Sequence, residues 1–379
     1  MNVGLAIYRA LRAINLESTD KIPLLNTIGG SSFAEKLSGV SRRERNKHIR
    51  AFHEALDVDL SYSMAFVSEE WKYRWEDTPP EQTVYGSYED FRGDYPYTDL
   101  WHIAYKGCEV ARSPASTILW VTERPFKEYR ELLSYLREYD PRECEIRSVR
   151  EISAHYRECW ERQQRLLKGV TLVAGELYLT LFTFFIVHVG WKFMARLIYQ
   201  NPELLDEALA RYAEVSKKHM EAWSRVGIKA FVCHDDVATQ LGPMVNPDWY
   251  WEHVFPIYRE LWRPLKRKGI KIIFISDGNY TPLIEGLAWA GADGFKINPD
   301  AKLSHSELES LLDRYGGRKI FSLSVRRDIM MYGTEKDVVS ELRFIMSLAK
   351  RYNGVFIHQE EEGKHFDAYY KTWVENRVR

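Results

Sequence analysis

Three short apolar runs, each ending in polar residues, lie between residues 227 and 298, and this repeat constrains the fold more than any other feature. They are residues 229–236, 270–279 and 292–298, with amphipathic helical sequence between them. Near-continuous apolar runs separated by helices are typical of buried parallel strands. In a parallel α/β barrel the carboxyl ends of the strands form the reactive face. The polar residues that end these runs are therefore the first candidates for catalytic and ligand-binding residues.

The same pattern extends along the chain and predicts eight strands separated by helices. The predicted strands are residues 22–26, 58–66, 170–174, 229–234, 270–276, 294–298, 319–324 and 354–358. Eight strands alternating with helices indicate an α/β fold of the (β/α)₈ TIM-barrel type. Asn201 followed by Pro202 predicts the N-cap and first turn of a long helix.

The region of about residues 69–165 interrupts this alternation between the second and third strands. It is rich in Trp, Tyr and Pro and contains short alternating runs. We interpret it as an insertion with a β-ribbon that covers one end of the barrel. The chain is thus predicted to form one barrel domain over residues 1–379.

Composition limits the classes of function. A net charge of −1 gives no bulk attraction to nucleic acid or to an anionic membrane. The four cysteines are scattered without C-x-x-C spacing, which argues against a structural zinc site or a disulfide framework and favours a reducing cytoplasm.

The start of the sequence lacks the features of a signal peptide. Residues 177–189 are too short an apolar run to span a membrane, so we expect a buried loop and helix over the barrel mouth.

The polar strand ends supply the candidate site residues. We expect His234, Asp235 and Asp277 to be catalytic, because they follow predicted strands directly. Adjacent Asp235 and Asp236 cannot point the same way, so one should face the barrel mouth and the other should cap a neighbouring element. The substrate-binding candidates are Asp236, Asn279, Tyr280, Asn298 and Arg326.

A metal site is predicted from nitrogen and oxygen donors at the ends of the fifth and eighth strands. Asp277 and His358 should lie on the same face of the barrel, together with one glutamate of residues 360–362, for which Glu360 is our choice. Such donors suit a hard or borderline divalent ion. The alternative is a solvated acidic loop.

Several candidates have a structural alternative. His234 could be a base, a metal ligand or a hydrogen-bonded histidine beside the core. Arg326 and Arg327 could receive a substrate carboxylate or pair with Asp328. Aromatic residues such as Trp71 could wall a flat substrate or simply pack.

Short motifs occur in a defined order over nearly the whole chain. They are Arg9-Ala-Leu-Arg12 with residues 19–23, then residues 197–204, 235–243, 273–279 and 332–335. In this order and spacing they resemble the uroporphyrinogen decarboxylase superfamily. That superfamily includes tetrapyrrole decarboxylases and methyltransferases that work with corrinoid proteins. The resemblance implies a (β/α)₈ barrel.

Differences from the superfamily's motifs favour one activity over another. The decarboxylases carry an arginine-rich segment after the first strand, which pairs with substrate carboxylates, whereas residues 26–30 contain no arginine. Methyltransferases commonly carry His-x-Cys-Gly-Asn at the fifth strand, where this chain has Ile275 and Asp277 in place of the histidine and cysteine. A thiolate-rich zinc site is therefore excluded. The resemblance is greatest to the branch that shares Ser276-Asp-Gly-Asn279.

The resemblance therefore implies a cytoplasmic enzyme that transfers a methyl group from a small methoxylated or methylamine compound to a corrinoid (cobalamin) on a partner protein. One divalent ion such as zinc, bound without cysteine, would act as a Lewis acid. The first alternative is cofactor-free decarboxylation of a tetrapyrrole, with Asp277 or Asp235 holding the pyrrole N–H groups. The second is a non-catalytic binding barrel. We expect no nucleic-acid or membrane partner, and a homodimer is compatible with the sequence.

Overall fold

The structure is a computed structural model that describes residues 4–27, 32–41, 44–62, 83–91, 99–112, 119–358 and 363–378. Its strands are β1 Leu24–Thr27, β2 Leu60–Tyr62, β3 Val84–Ser87, β4 Glu109–Arg112, β5 Leu119–Glu123, β6 Leu172–Val173, β7 Gly175–Tyr178, β8 Ala230–His234, β9 Ala238–Thr239, β10 Gly242–Pro243, β11 Lys271–Ile275, β12 Gly294–Lys296, β13 Ile320–Leu323 and β14 Val355–His358.

The helices are α1 Leu5–Ile14, α2 Ser32–Ser38, α3 Arg45–Leu56, α4 Tyr88–Phe91, α5 Asp99–Ala104, α6 Tyr129–Glu138, α7 Val149–Leu166, α8 Phe182–Val189, α9 Trp191–Gln200, α10 Pro202–Trp223, α11 Pro247–His253, α12 Phe255–Arg267, α13 Ile284–Ala290, α14 His305–Tyr315, α15 Arg327–Tyr332, α16 Glu335–Arg351 and α17 Phe366–Asn376. Short 3-10 helices occur at Pro141–Glu143, Thr281–Leu283 and Pro299–Ala301.

Nine of these strands form one parallel sheet in the order β6-β2-β1-β14-β13-β12-β11-β8-β7. The two end strands, β6 and β7, are separated in the chain only by Ala174. They act as one barrel strand, because β6 pairs with β2 and β7 pairs with β8. The sheet therefore closes on itself, and the prediction of an eight-stranded (β/α)₈ barrel is confirmed.

The barrel interior is apolar along most of its length and polar at the carboxyl ends of the strands. Ala230 and Val232 of β8 belong to the interior cluster, as do Ile273 and Ile275 of β11. Successive side chains of a strand alternate between its two faces, so every second residue of each barrel strand points into the interior. The inward positions that follow these apolar layers carry Tyr62, Glu176, His234, Asp277, Lys296, Ser322 and His358.

A second sheet lies within the predicted insertion. Strands β3, β4 and β5 form an antiparallel sheet separate from the barrel. Trp101 of α5 packs against Tyr178 at the end of β7, with ring centroids 5.3 Å apart. Part of this region therefore lies against the carboxyl end of the barrel, although residues 63–82, with Trp71, are outside the described part of the chain.

The predicted start of the long helix is right, but the reason differs in part. Helix α10 begins at Pro202, and the Asn201 side chain makes no capping hydrogen bond. Its Oδ1 instead accepts a hydrogen bond from Tyr129 on α6 (2.8 Å). The apolar segment before it becomes the end of β7 and the buried helix α8. None of the helices in the described residues is long and apolar enough to cross a membrane.

Candidate functional site

Three side chains of residue types that can ligate a metal ion converge at the carboxyl ends of β8 and β11. His234 is the last residue of β8, Asp236 follows two positions later, and Asp277 stands two positions beyond β11. His234 Nε2 lies 3.3 Å from Asp236 Oδ1. One donor atom from each of the three residues lies within 4.8 Å of the others. We call these three residues the His-Asp-Asp group.

Hydrogen bonds fix the orientation of both carboxylates in this group. Asp236 Oδ1 accepts from the backbone N–H of Asp277 (2.9 Å), and its Oδ2 accepts from the Tyr178 hydroxyl (3.0 Å). Asp277 Oδ1 accepts from the side-chain amide of Asn298 (2.8 Å). Partners of this kind orient metal ligands and hold their remaining lone pairs towards an ion.

The charges of the group depend on one another. Burial alone would lower the pKa of His234, but Asp236, with Asp277 and Glu176, outweighs it and raises that pKa. Burial alone would raise the pKa of Asp236, and the nearby imidazole lowers it instead. The pKa of Asp277 is raised by desolvation and by Asp236. The two carboxylates repel each other, and a cation placed between them would relieve this repulsion.

Asp235 points away from the group. Its buried carboxylate accepts hydrogen bonds at 2.6–2.8 Å from three backbone N–H groups and one phenol, those of Leu181, Phe182, Thr183 and Tyr258. The three N–H groups belong to the first turn of α8, where a negative charge is favourable. Asp235 therefore anchors a helix and does not reach the barrel axis, and of the adjacent pair it is Asp236 that faces the mouth.

A second set of polar residues lies on the inner wall beside the His-Asp-Asp group. Glu176 of β7 and Lys296 of β12 are each 4% exposed. Neither carboxylate oxygen of Glu176 has a hydrogen-bond partner among the described residues. Burial raises the pKa of Glu176 to about 8, against the opposing effects of His234 and Lys296. Burial likewise lowers the pKa of Lys296 to about 8. A carboxyl group whose pKa is raised and an amine whose pKa is lowered therefore lie within electrostatic range of each other on the inner wall.

His358 belongs to this inner wall and not to the His-Asp-Asp group. Its Nδ1 lies 2.9 Å from Ser322 Oγ on the neighbouring strand. Burial, together with Lys296, holds the pKa of His358 well below its usual value. The predicted ligand set of Asp277, His358 and Glu360 therefore differs from the structure, where Asp277 lies with His234 and Asp236. Glu360 is outside the described residues.

The loop after β11 holds Asp277 in place through its neighbours. Asn279 accepts hydrogen bonds from Thr281 and donates its own N–H to the carbonyl of Thr239 (2.7 Å), so it shapes the loop. Tyr280 is buried and donates to the Lys296 carbonyl (2.8 Å). Neither predicted substrate-binding side chain points into the site.

The two arginines after β13, Arg326 and Arg327, have different neighbours. Arg326 lies near Glu341 of α16 (3.4 Å) and Asp328 of α15 (3.8 Å). Arg327 pairs with Asp300 (2.9 Å), and its charge acts on both Asp277 and Lys296. Arg327, and not the predicted Arg326, is therefore the arginine closer to the site.

Glu176, Lys296 and Tyr178 were missed in the sequence analysis. Lys296 lies in a predicted strand, whereas Glu176 and Tyr178 lie in β7, beyond the predicted strand of residues 170–174. A charged residue within a predicted strand is the signal that could have found Lys296, since Lys is rarely buried without a partner.

The family of the chain can be stated once this geometry is known. Residues 168–357, half of the chain, match the family model described as uroporphyrinogen decarboxylase (URO-D). The chain belongs to the uroporphyrinogen decarboxylase family. The matched range contains the whole His-Asp-Asp group and the inner-wall residues Glu176 and Lys296. Among curated proteins, none matches the sequence significantly.

Solved structures agree with this assignment at the level of the fold. A methyltransferase from Methanosarcina mazei is 15% identical, with a TM-score of 0.64, and the match covers 98% of each chain. A sugar phosphate isomerase/epimerase from Parabacteroides distasonis is 11% identical with a TM-score of 0.31, over 57% of this chain and 74% of that chain. The first match shows that this member of the uroporphyrinogen decarboxylase family and the Methanosarcina mazei protein share one fold along their whole lengths. The second is too weak to support an argument.

Proposed function

We propose that this chain is a metal-assisted methyltransferase that moves a methyl group from a small methoxylated or methylamine compound to a corrinoid protein. The observation that carries the proposal is the His-Asp-Asp group, in which three potential ligands from two strand ends lie within 4.8 Å. Cofactor-free decarboxylation would use only Asp277 of this group, to hold the pyrrole N–H groups, and would not need three metal ligands together.

The residues of the group fit a divalent ion. One imidazole and two carboxylates suit zinc, manganese or ferrous iron, and cysteine is not required. A bound ion would act as a Lewis acid on the oxygen or nitrogen from which the methyl group departs. Tyr178 and Asn298 keep the two carboxylates in position through the hydrogen bonds described above.

Three further observations support methyl transfer in particular. The full-length structural match is to a protein described as a methyltransferase. The strand end Ser276-Asp-Gly-Asn279 resembles the branch of the superfamily to which methyl-transferring proteins are assigned. Tyr178 also provides aromatic surface beside the group, with its ring centroid 4.3 Å from that of His234, against which an aryl ether or a methylammonium can pack.

The test measures methyl transfer and metal content on the same preparations. Purified protein is mixed with a reduced corrinoid protein and a panel of methoxylated compounds and methylamines, and the corrinoid absorbance is followed. We expect one class of compound to change the spectrum. Elemental analysis of protein purified without chelator should find one divalent ion for each chain.

Matched variants separate ligand loss from misfolding. Asp236→Asn, Asp277→Asn and His234→Gln should each lose most of the metal and at least about 100-fold in rate, as expected for a lost metal ligand or its support. Asp248→Asn, an exposed aspartate on α11, should change neither. Stoichiometric metal in all three site variants would show that the ligands are wrongly assigned.

The decarboxylase alternative has its own readout. Incubation with uroporphyrinogen, followed by separation of the products by number of carboxylates, detects that activity directly. Loss of carboxylates from uroporphyrinogen in metal-free protein, with no spectral change across the methyl-donor panel, would overturn the proposal in favour of decarboxylation.

A further inference from the structure

Lys296 occupies an unusual position for a lysine. It is the last residue of β12, and in the sheet it is in register with Ile275 of β11 and Ser322 of β13. Ile275 belongs to the apolar cluster inside the barrel, so Lys296 shares that inner face. Lysines usually extend their ammonium groups to solvent, whereas this one is 4% exposed.

Groups of both charges surround Lys296 from several elements. Glu176 on β7 and Asp277 after β11 act on it as anions, and Arg327 on α15 acts as a cation. His358 on β14 lies close enough for Lys296 to depress its pKa. The backbone at Lys296 is fixed, because its carbonyl accepts the Tyr280 hydroxyl (2.8 Å). The amine is therefore held among acid and base groups at the reactive end of the barrel.

We propose that Lys296 is a nucleophile that captures a small aldehyde or ketone as an imine. A lysine amine that is desolvated in a protein interior is the usual nucleophile for carbonyl compounds. Glu176 supports this role, because a buried carboxyl group whose oxygens have no partner among the described residues is available to a ligand. This inference does not depend on the proposed methyl transfer.

The reaction balances without an oxidant or a reductant. The Lys296 Nζ lone pair adds to the carbonyl carbon, and the amine proton passes to the carbonyl oxygen to give a carbinolamine. Glu176 then donates its proton to the hydroxyl group, which leaves as water while the C=N bond forms. The products are one protonated imine and one water, and Glu176, which is left as a carboxylate, offers the counter-charge to that imine.

The charge state of the amine is favourable to this chemistry. With its pKa lowered to about 8, roughly one-tenth of Lys296 is neutral at pH 7, against fewer than one in a thousand for an ordinary lysine. Lys319 is a useful comparison, because burial lowers its pKa as well. Lys319 precedes β13, at the amino end of the barrel, and its Nζ donates to the Ala292 carbonyl. It therefore lies far from Glu176 and Asp277, which are at the carboxyl end.

Reductive trapping tests the proposal on the full chain. The protein is incubated at pH 7 with acetaldehyde, pyruvate or dihydroxyacetone and sodium cyanoborohydride, and the rate of mass gain at each lysine is followed by peptide mass spectrometry. We expect at least one compound to modify Lys296 about tenfold faster than Lys319 and the exposed Lys302. Modification of Lys296 no faster than these two, with every compound, would overturn the proposal.

Three variants test the roles assigned to Lys296 and Glu176. Lys296→Met should remove the fast modification, whereas Lys319→Met should leave it intact. Glu176→Gln should slow trapping about tenfold without changing the trapping of Lys302. An unchanged rate in Glu176→Gln would refute the assigned acid. If Lys296→Met does not fold, the ratio of rates at Lys296 and Lys319 in the parent protein still decides the question.

Discussion

Replacing Asp235 should destabilise the fold far more than replacing its neighbour Asp236. The Asp235 carboxylate satisfies three backbone N–H groups of α8 and the Tyr258 hydroxyl, and it is fully buried. A buried donor left without an acceptor costs about 1–3 kcal/mol. In Asp235→Ala four donors lose their acceptor, which gives about 4–12 kcal/mol. Burial of the charged carboxylate raises the pKa of Asp235, and removal of that charge offsets part of this sum, so we expect a net loss of about 4 kcal/mol.

The conservative variant refines this estimate. In Asp235→Asn the amide oxygen can keep part of the hydrogen bonding, but the amide NH₂ then faces a donor. We expect a loss of about 2–3 kcal/mol from one or two broken hydrogen bonds. Asp236→Asn should lose less than about 1.5 kcal/mol, because that carboxylate is partly exposed and lies beside Asp277, which repels it.

Urea unfolding followed by tryptophan fluorescence measures these differences. The slope of unfolding free energy with urea increases with chain length and should exceed about 3 kcal/mol per molar urea here. Asp235→Ala should therefore lower the midpoint by roughly 1 M. Equal midpoints for Asp235→Ala and the parent, or a larger loss in Asp236→Asn than in Asp235→Asn, would refute the assignment of Asp235 as a helix anchor.

Two further predictions concern stability. His53 is fully buried, and burial lowers its pKa to about 4. The unfolded chain therefore takes up a proton at His53 below about pH 6.5 while the folded chain does not. The free energy of unfolding should be unaffected by His53 above pH 6.5 and should fall by about 1.4 kcal/mol per pH unit between pH 6.5 and 4. Urea midpoints of His53→Gln should therefore vary less between pH 6.5 and 5 than those of the parent, and parallel curves would contradict this. Gly278 has φ +72° and an added Cβ would lie 2.3 Å from the Thr239 carbonyl oxygen, so Gly278→Ala should cost at least about 2 kcal/mol and displace Asp277. Gly269→Ala, with φ +69° and no atom within 4 Å, should cost about 1 kcal/mol.

The fold was readable from the sequence because each barrel strand is an apolar run with a polar end. The run at residues 270–279 contains β11 and Asp277 in that order, and the run at 292–298 contains β12 and Asn298. The division of residues 170–178 into β6 and β7 was not predicted. It depends on which neighbours each half pairs with, β2 or β8, and a local pattern does not record that.

The site could be predicted only in part, for a geometric reason. The sequence identifies which residues stand at strand ends, so His234, Asp236 and Asp277 were all among the candidates. It does not show how far each strand reaches along the barrel axis. The strands end at different heights, and His358 therefore lies beside Ser322 on the wall instead of joining the His-Asp-Asp group. The direction of Asp235 is likewise set by α8, an element that precedes it by some fifty residues.

Closure of the barrel between β1 and β14 also has a consequence for synthesis on the ribosome. Leu24 pairs with Ile357, so one edge of β1 has no strand beside it until more than 300 further residues have been made. At about 5–20 residues per second this interval lasts roughly 20–70 s. During that time an unpaired strand edge can pair with other chains. The nascent barrel is therefore exposed to misassociation for most of its translation, and a factor that shields the amino-terminal strands during this interval would raise the yield of folded protein.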